Sequence, residues 1–392
     1  MVTTTKPGMR TATRSYLTNA VLVLPQETVQ DGTVLLEDGL IAAICPEHLH
    51  GHAEEIDLAG DVLMSGLIDL HGDAIEREME PRDRAMLPLP HAVVQGDRKC
   101  ALAGITTPFH ALAFAGEDRG RRSNPIMAEL ARLIHSRADH SLVDNRVHCR
   151  FEMTSADGLP YIQALVEEGI CKLVSLNNHT PGQGQFADLE VFRKYMKGNY
   201  NLPDAEIDRI LKEKMVPLEL AEGHGQTMAE YCAQTGVPLA SHDDEDRAKI
   251  LKRHGQGVHM TEFPLSLSAA QAAAELGIHA IVGSPNVLRG GSLGSGESAL
   301  KLIEHGLADC LCSDYAPSTL LPATFRVVDE LGWPLHRAVP LTTSNPARAA
   351  GLTDRGEIRV GQRADLIAVH RQDVTPLVQF LWSRGHLALR FS

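Results

Sequence analysis

His71 and Asp73, in the stretch Ser65-Gly-Leu-Ile-Asp-Leu-His71-Gly-Asp73, set an imidazole and a carboxylate two residues apart. The residues before them, Leu67 to Leu70, read as a buried strand, and side chains two apart on a strand face the same side. Both would leave one strand end together, which suits a divalent cation better than a packed core. A single His-x-Asp pair is weak, because most such pairs are structural or exposed. The pattern repeats, however. Later apolar runs lead to Glu152, to His179, to His242 with Asp243 and Asp244, to Glu262 and to Asp314. Any one of these is as well explained by a hydrogen-bonded polar group at the rim of a fold. Chance rarely places a ligand type at so many strand ends. The expected ligands are His71, Asp73, Glu152, His179, His242 and Asp314, holding one or two divalent ions. Histidine with carboxylate leaves zinc, manganese and iron open. Glu152 is the candidate bridge, since two ions about 3.5–4 Å apart can clamp both sides of a displacement.

A scaffold must gather these ends. The candidate strands are Leu67–His71, Thr106–Ala111, Val147–Glu152, Cys171–Leu176, Pro238–Ser241, Gly257–Glu262, His279–Gly283 and Asp309–Ser313. Helical stretches alternate with them, such as Ile126–Ser136, Leu159–Glu168, Gln226–Gln234, Ser268–Leu276 and Ser298–Gly306. Strand-helix units repeated over about 250 residues fit a (β/α)8 TIM-like barrel, whose active site lies at the carboxyl ends of its strands. A doubly wound open sheet is the alternative, but it would not collect ligands from so many ends. Before the barrel, Ala20–Leu24, Thr33–Glu37 and Leu40–Cys45 are short β-rich runs, separated by Asp31-Gly32 and Asp38-Gly39, which are hairpin signals. The stretches Gly356–Gly361 and Arg363–His370 read the same way. The expected organisation is a small β-sandwich domain from residues 1–64 and 355–392, flanking a barrel over 65–354. A charged helical insertion, Phe186 to Gly223 with a break at Asn201-Leu-Pro203, is placed as a lid.

Composition narrows the function. A chain of 392 residues with 43% hydrophobic content easily buries a core. Its formal charge of −13 excludes a sequence-independent grip on nucleic acid. An anionic substrate would have to be held by local Arg, Lys, metal and backbone N–H groups. Seven cysteines, an odd number without framework spacing, point to the reducing cytoplasm. Residues 1–16 lack the apolar core of a signal peptide, and no run of 18 apolar residues offers a membrane span. The expected partner is a small molecule, with no nucleic acid and no membrane. A homo-oligomer is compatible with these features.

Other motifs have plainer readings. His48-Leu-His50-Gly-His52 is a short His tract, best taken as a solvated loop. Cys310 and Cys312 alternate on the last candidate strand and read as small core residues. Gly291-Ser-Leu-Gly-Ser-Gly296-Glu-Ser298 has Glu297 where a P-loop needs lysine, so it is not a nucleotide loop. In contrast, Gly283-Ser-Pro-Asn286-Val-Leu-Arg289-Gly-Gly-Ser292 follows a strand and opens a helix. Its backbone N–H groups and guanidinium could hold phosphate oxygens, against the reading of a flexible surface loop.

The chain resembles the amidohydrolase superfamily in its two-ended β domain, Gly66-Leu-Ile-Asp-Leu-His71, Ser313-Asp314, Asn345-Pro-Ala-Arg-Ala-Ala350 and the tail from Gly356 to Asp365. Within it, the chain resembles more specifically the diphosphatases of phosphonate catabolism. That likeness is carried by Leu173-Val-Ser-Leu176, His179-Thr-Pro-Gly-Gln183, Ala240-Ser-His-Asp-Asp244, Glu262-Phe-Pro264, Pro285-Asn286, Arg289-Gly-Gly-Ser292 and Ser313-Asp-Tyr315. It implies hydrolysis of a ribose 5-triphosphate carrying a 1-phosphonate, with release of diphosphate. Asp314 would accept a proton, and Arg82, Gln183, Asn286 and Arg289 would bind the phosphorylated substrate. The family pattern is broken after the first ligands, where Ala74 replaces an Asn and Asp83 follows Pro81-Arg82. The rivals are an amide or cyclic-amide hydrolase of the same superfamily, and a barrel scaffold without metal.

Overall fold

The computed structural model describes residues 14–45, 54–82, 85–115, 123–179, 189–200, 202–214, 216–291, 298–372 and 375–391. The chain opens with β1 (Arg14–Val23), β2 (Thr28–Glu37), β3 (Leu40–Cys45), β4 (Glu54–Asp57) and β5 (Val62–Ser65). The barrel strands are β6 (Leu67–Gly72), β7 (Ile105–Phe114), β8 (Arg146–Glu152), β9 (Cys171–Asn177), β10 (Leu239–His242), β11 (Met260–Glu262), β12 (His279–Gly283) and β13 (Cys310–Cys312). The chain closes with β14 (Leu366–Gln372), β15 (Thr375–Ser383) and β16 (His386–Arg390).

Strands β6 to β13 pair in sequence order, each parallel to the next. An isolated parallel bridge between Gly72 and Asp314 brings the last strand back to the first. This is the expected (β/α)8 barrel. Helices such as Asn124–Ser136, Leu159–Glu167, Leu218–Thr235, Arg247–Gly255, Leu267–Glu275 and Leu320–Leu331 follow the strands. Local chemistry starts two of them cleanly. Asp246 accepts from Lys249 N–H at 2.9 Å and Ser266 from Ala269 N–H at 3.1 Å, N-caps worth about 1 kcal/mol each. Apolar side chains seal the lower barrel interior: Ile68, Leu70, Phe109, Met260 and Ile281 pack with Cys310, Cys312 and the alanines of the helix Ser344–Ala349. Both cysteines are core residues, as their alternation suggests.

The two chain ends build one further sheet, in the order β16-β15-β14-β5-β1-β2-β3, with β4 on β1. The link is β14, antiparallel to β5 with Leu366 opposite Ser65. At Asp38-Gly39 both residues have positive φ, 52° and 85°, and join β2 to β3 in the expected hairpin. Asp31-Gly32 is not a turn. It lies inside β2 at a register shift opposite Ala20, and the chain instead turns at Pro25-Gln26. A Cβ on Gly32 would meet Leu22 Cδ1 at 2.3 Å, so the glycine serves packing. The Gly356–Gly361 stretch likewise forms turns, with Gly361 N–H on the Ile41 carbonyl at 2.8 Å.

Asp144 clamps the sheet to the barrel. Its carboxylate accepts from Arg355 at 2.5 Å, Arg363 at 3.1 Å, Arg146 at 3.2 Å and Arg384 at 3.5 Å. The insertion forms the helices Leu189–Tyr200 and Asp204–Lys214, broken near Pro203 as expected, with a small apolar cluster of its own around Ile207, Ile210 and Leu211. No helix of the described residues is long and apolar enough to cross a membrane.

Candidate active site

Three strand ends use one device. Asp243, Phe263 and Asp314, the residues that follow His242, Glu262 and Ser313, have φ of 53°, 56° and 54°. Left-handed backbone costs a non-glycine residue roughly 1–2 kcal/mol. Here each such residue donates its N–H to another strand: Asp243 to the Glu262 carbonyl, Phe263 to Ile281, and Asp314 to His71, all at 2.9 Å. The kinks aim the preceding and following side chains over the barrel mouth, where backbone strain often accompanies function.

His71, His242 and Glu262 converge there, with ligand-type atoms within 4.8 Å of one another. His71 Nδ1 lies 3.0 Å from Glu262 Oε1, without the alignment of a hydrogen bond. Glu262 and His71 are buried. Burial pushes the His71 imidazole down, but Glu262 and Asp73 outweigh it and bring the group up to about 10. Burial pushes Glu262 up, and the imidazoles of His71 and His148 outweigh it to leave the carboxyl at about 2. His179, His242 and Asp243 form a second such group, sharing His242. Phe263 stands edge-on to both His71 and His242, with centroids at 5.2 Å.

The atoms themselves test whether a cation fits. His71 Nδ1, His242 Nδ1, both Glu262 carboxylate oxygens and Asp243 Oδ2 are buried without a hydrogen-bond partner. An orphaned buried polar atom costs about 1–3 kcal/mol, so several aimed at one place need a shared partner. Imidazole nitrogens and carboxylate oxygens are the donors a divalent transition ion takes. The residues fit a metal.

The other expected residues lie around these groups. Glu152 accepts from His179, with Nδ1 to Oε2 at 2.6 Å and the His179 N–H to Oε1 at 3.2 Å. Asp73 Oδ1 is 3.5 Å from His71 Nε2, and Arg150 holds both Asp73 oxygens at 3.1 Å. Asp314 is bound through its backbone to His71 and to Asp73, whose N–H reaches the Asp314 carbonyl at 2.7 Å. Burial, and then the Asp73 carboxylate, push Asp314 up to about 6.

The expected substrate residues are less gathered. Gln183 lies outside the described residues, as do His48, His50 and His52. Arg82 is exposed on the turn after the helix Ala74–Met79. Asn286 and Arg289 belong to a short helix, Ser284–Arg289, rather than to an open loop. Arg289 donates to Asn286 Oδ1 at 2.5 Å, and the N–H groups of Gly290 and Gly291 both reach the Asn286 carbonyl at 3.1 Å. The phosphate-cradle expectation therefore meets N–H groups already spent on a helix end.

Glu262 is named in the sequence at a strand end but not in the expected ligand set, because its place beside His71 depends on barrel closure. Arg150 is not singled out there at all. Arg150 lies in Arg146-Val-His148-Cys-Arg150-Phe-Glu152, where alternate polar residues on a buried strand were the available signal. A third cluster, His279, Asp309 and Cys310, lies at the opposite strand ends. Asp309 is occupied there by His279 Nδ1 at 2.6 Å and Ala280 N–H at 3.1 Å, which makes it a latch.

A closed parallel barrel with ligand-type residues at its strand ends, capped by a sheet from both termini, defines a class. The chain belongs to the amidohydrolase family, whose profile matches residues 204–389. It is 35% identical over 378 residues to the alpha-D-ribose 1-methylphosphonate 5-triphosphate diphosphatase of Escherichia coli (strain K12), spanning 94% of this chain and 98% of that protein. It is 23% identical over 397 residues to a dihydroorotase of Syntrophotalea carbinolica, spanning 90% and 88%. Among solved structures, N-acetylglucosamine-6-phosphate deacetylase from Pasteurella multocida shares the fold, with TM-score 0.65, 14% identity, and 95% and 99% of the two chains covered.

Proposed function

We propose that this protein is a metal-dependent hydrolase that cleaves alpha-D-ribose 1-methylphosphonate 5-triphosphate, releasing diphosphate, in phosphonate catabolism. One observation carries the choice of phosphorus over carbonyl chemistry: the relative that is 35% identical along nearly the whole of both chains is a diphosphatase of that substrate. The proposed ligands are His71, Asp73, Glu152, His179, His242 and Asp314, with Glu262 added from its place beside His71 and His242. A divalent ion held there supplies Lewis-acid polarisation of a phosphoryl oxygen and a more acidic water. Zinc, manganese and iron all suit the donors, with one or two ions per chain.

The chain's own residues do the rest. Water attacks the phosphorus nearest the ribose; an O–P bond forms as the anhydride bridge to the leaving diphosphate breaks. Asp314 takes the proton the water loses, as a carboxylate at the last strand end whose backbone is tied to His71 and Asp73. Glu152 fixes the ring of His179 through the 2.6 Å bond. Phe263 packs edge-on against the two imidazoles and holds their rings in place. Seven free cysteines support a reducing, cytoplasmic setting.

The test is a parallel assay of metal-loaded protein on the ribose triphosphate, dihydroorotate and an N-acyl amino sugar. Turnover of the triphosphate alone is expected. Turnover of an amide, with the triphosphate left intact, would give the site to the rival chemistry.

A further inference from the structure

Strand β8 carries an interior face that packing alone does not explain. Arg146, His148, Arg150 and Glu152 alternate along it, while Val147, Cys149 and Phe151 join the apolar layer under the helices. Barrel interiors are mostly filled by branched apolar side chains. Three of the four polar residues have evident structural work. Arg146 holds Asp144 at 3.2 Å, His148 bridges the Leu70 carbonyl at 3.1 Å and Ser175 Oγ at 2.9 Å, and Glu152 holds His179. Arg150 instead brings its charge into the strand-end cluster. Its side chain is 11% exposed and donates to both oxygens of Asp73. Its charge is also felt at Asp243 and Asp314.

We propose that Arg150 is the residue by which this site reads a phosphoryl group, a specificity-determining cation that a neutral amide would not require. The inference rests on the diphosphatase reading and moves recognition from the rim arginines to the barrel interior. Asp73, Asp243, Glu262 and Asp314 together would repel a polyanion. A polyphosphate therefore needs fixed positive charge where its oxygens enter. Arg82 and Arg289 are exposed, whereas the largely buried side chain of Arg150 reaches Asp73 at the strand ends. Nη1 of the guanidinium alone reaches both Asp73 oxygens at 3.1 Å, so its charge already serves two oxygens on one centre, and a phosphoryl group presents such a pair. Burying a guanidinium is costly unless its charge is used there.

The experiment is calorimetric titration of metal-loaded wild type, Arg150→Gln and Arg150→Lys with inorganic diphosphate, with metal content measured on the same samples. Arg150→Gln should keep its metal and bind diphosphate roughly 10-fold to 200-fold more weakly. Arg150→Lys should recover part of the affinity, because lysine keeps the charge without the planar fork. Diphosphate binding equal to wild type in metal-replete variants would overturn the proposal. So would loss of metal from both variants, which would make Arg150 a positioning residue for Asp73. If Arg150→Gln does not fold, Arg150→Lys carries the test alone, with weaker binding expected and unchanged binding overturning it. Because binding is read, failure of the diphosphatase reading would show separately, as wild-type protein that leaves the triphosphate uncleaved.

Discussion

The backbone N–H of Asp314 donates to the carbonyl of His71 at 2.9 Å, so the first and last barrel strands are tied together at the site itself. Asp69 secures the tie: its buried carboxylate accepts from the Ser313 N–H at 2.9 Å and from Ser313 Oγ at 2.5 Å. Ser313→Ala removes the second bond and leaves a buried carboxylate oxygen short of a donor. The expected loss is about 1–3 kcal/mol, read from the urea midpoint. Because Asp314 is the next residue, kcat should fall more than KM rises. An unchanged midpoint would show that the neighbouring backbone bond suffices.

Glu262 lies between two imidazoles with both oxygens unpartnered, so it should matter to the metal more than to folding. Glu262→Gln keeps the shape and removes the charge. Elemental analysis of protein purified without chelator should show metal in the wild type and a clear drop in the variant. Metal content that stays at the wild-type level would take Glu262 out of the ligand set.

Asp314→Asn should spare the fold, whose contacts at this residue run through its backbone, and remove the proton acceptor. General-base assistance contributes about 10²–10⁴ in rate. The expected result is a kcat lowered within that range. A variant with normal metal and near-normal kcat would assign the proton to another group.

Much of this architecture was legible in the sequence because buried parallel strands are short continuous apolar runs with ligand residues where they stop. All eight barrel strands lie where those runs were placed, with ends shifted by a few residues, as in Met260–Glu262 for the run from Gly257. What was missed depends on three dimensions or on competing local signals. β6 and β11 are far apart in strand order, so nothing local announces that Glu262 meets His71. Arg150 was hidden because apolar content flagged the strand and its polar face was not read separately. Asp31-Gly32 looked like a turn, yet the bulge against Ala20 won, since glycine there makes room for Leu22. In Ser284–Arg289, Pro285 was the sign of a helix start, where a proline's missing N–H is no loss.

The Asp144 clamp predicts an acid-sensitive joint between sheet and barrel. Burial pushes this carboxyl up, but Arg146, Arg355 and Arg363 outweigh it and hold it well below the usual carboxylate range. A depressed folded-state value stabilises above the unfolded value of about 3.9 and is lost as pH falls below it. Asp144→Asn should cost about 1–3 kcal/mol at pH 7, because Arg146 loses its carboxylate partner while Arg355 and Arg363 keep Asp354 and Asp365. It should also flatten the loss of stability between neutral and acid pH. Parallel slopes for variant and wild type would mean that other carboxylates govern the acid limb.

Phosphorus NMR of the metal-loaded protein with the ribose 5-triphosphate tests the central claim most directly. The account predicts that diphosphate and the 5-phosphate ester appear together, in equal amounts and from the first time point. Stepwise release of orthophosphate, or a triphosphate spectrum that never changes while an amide is hydrolysed under the same conditions, would contradict it.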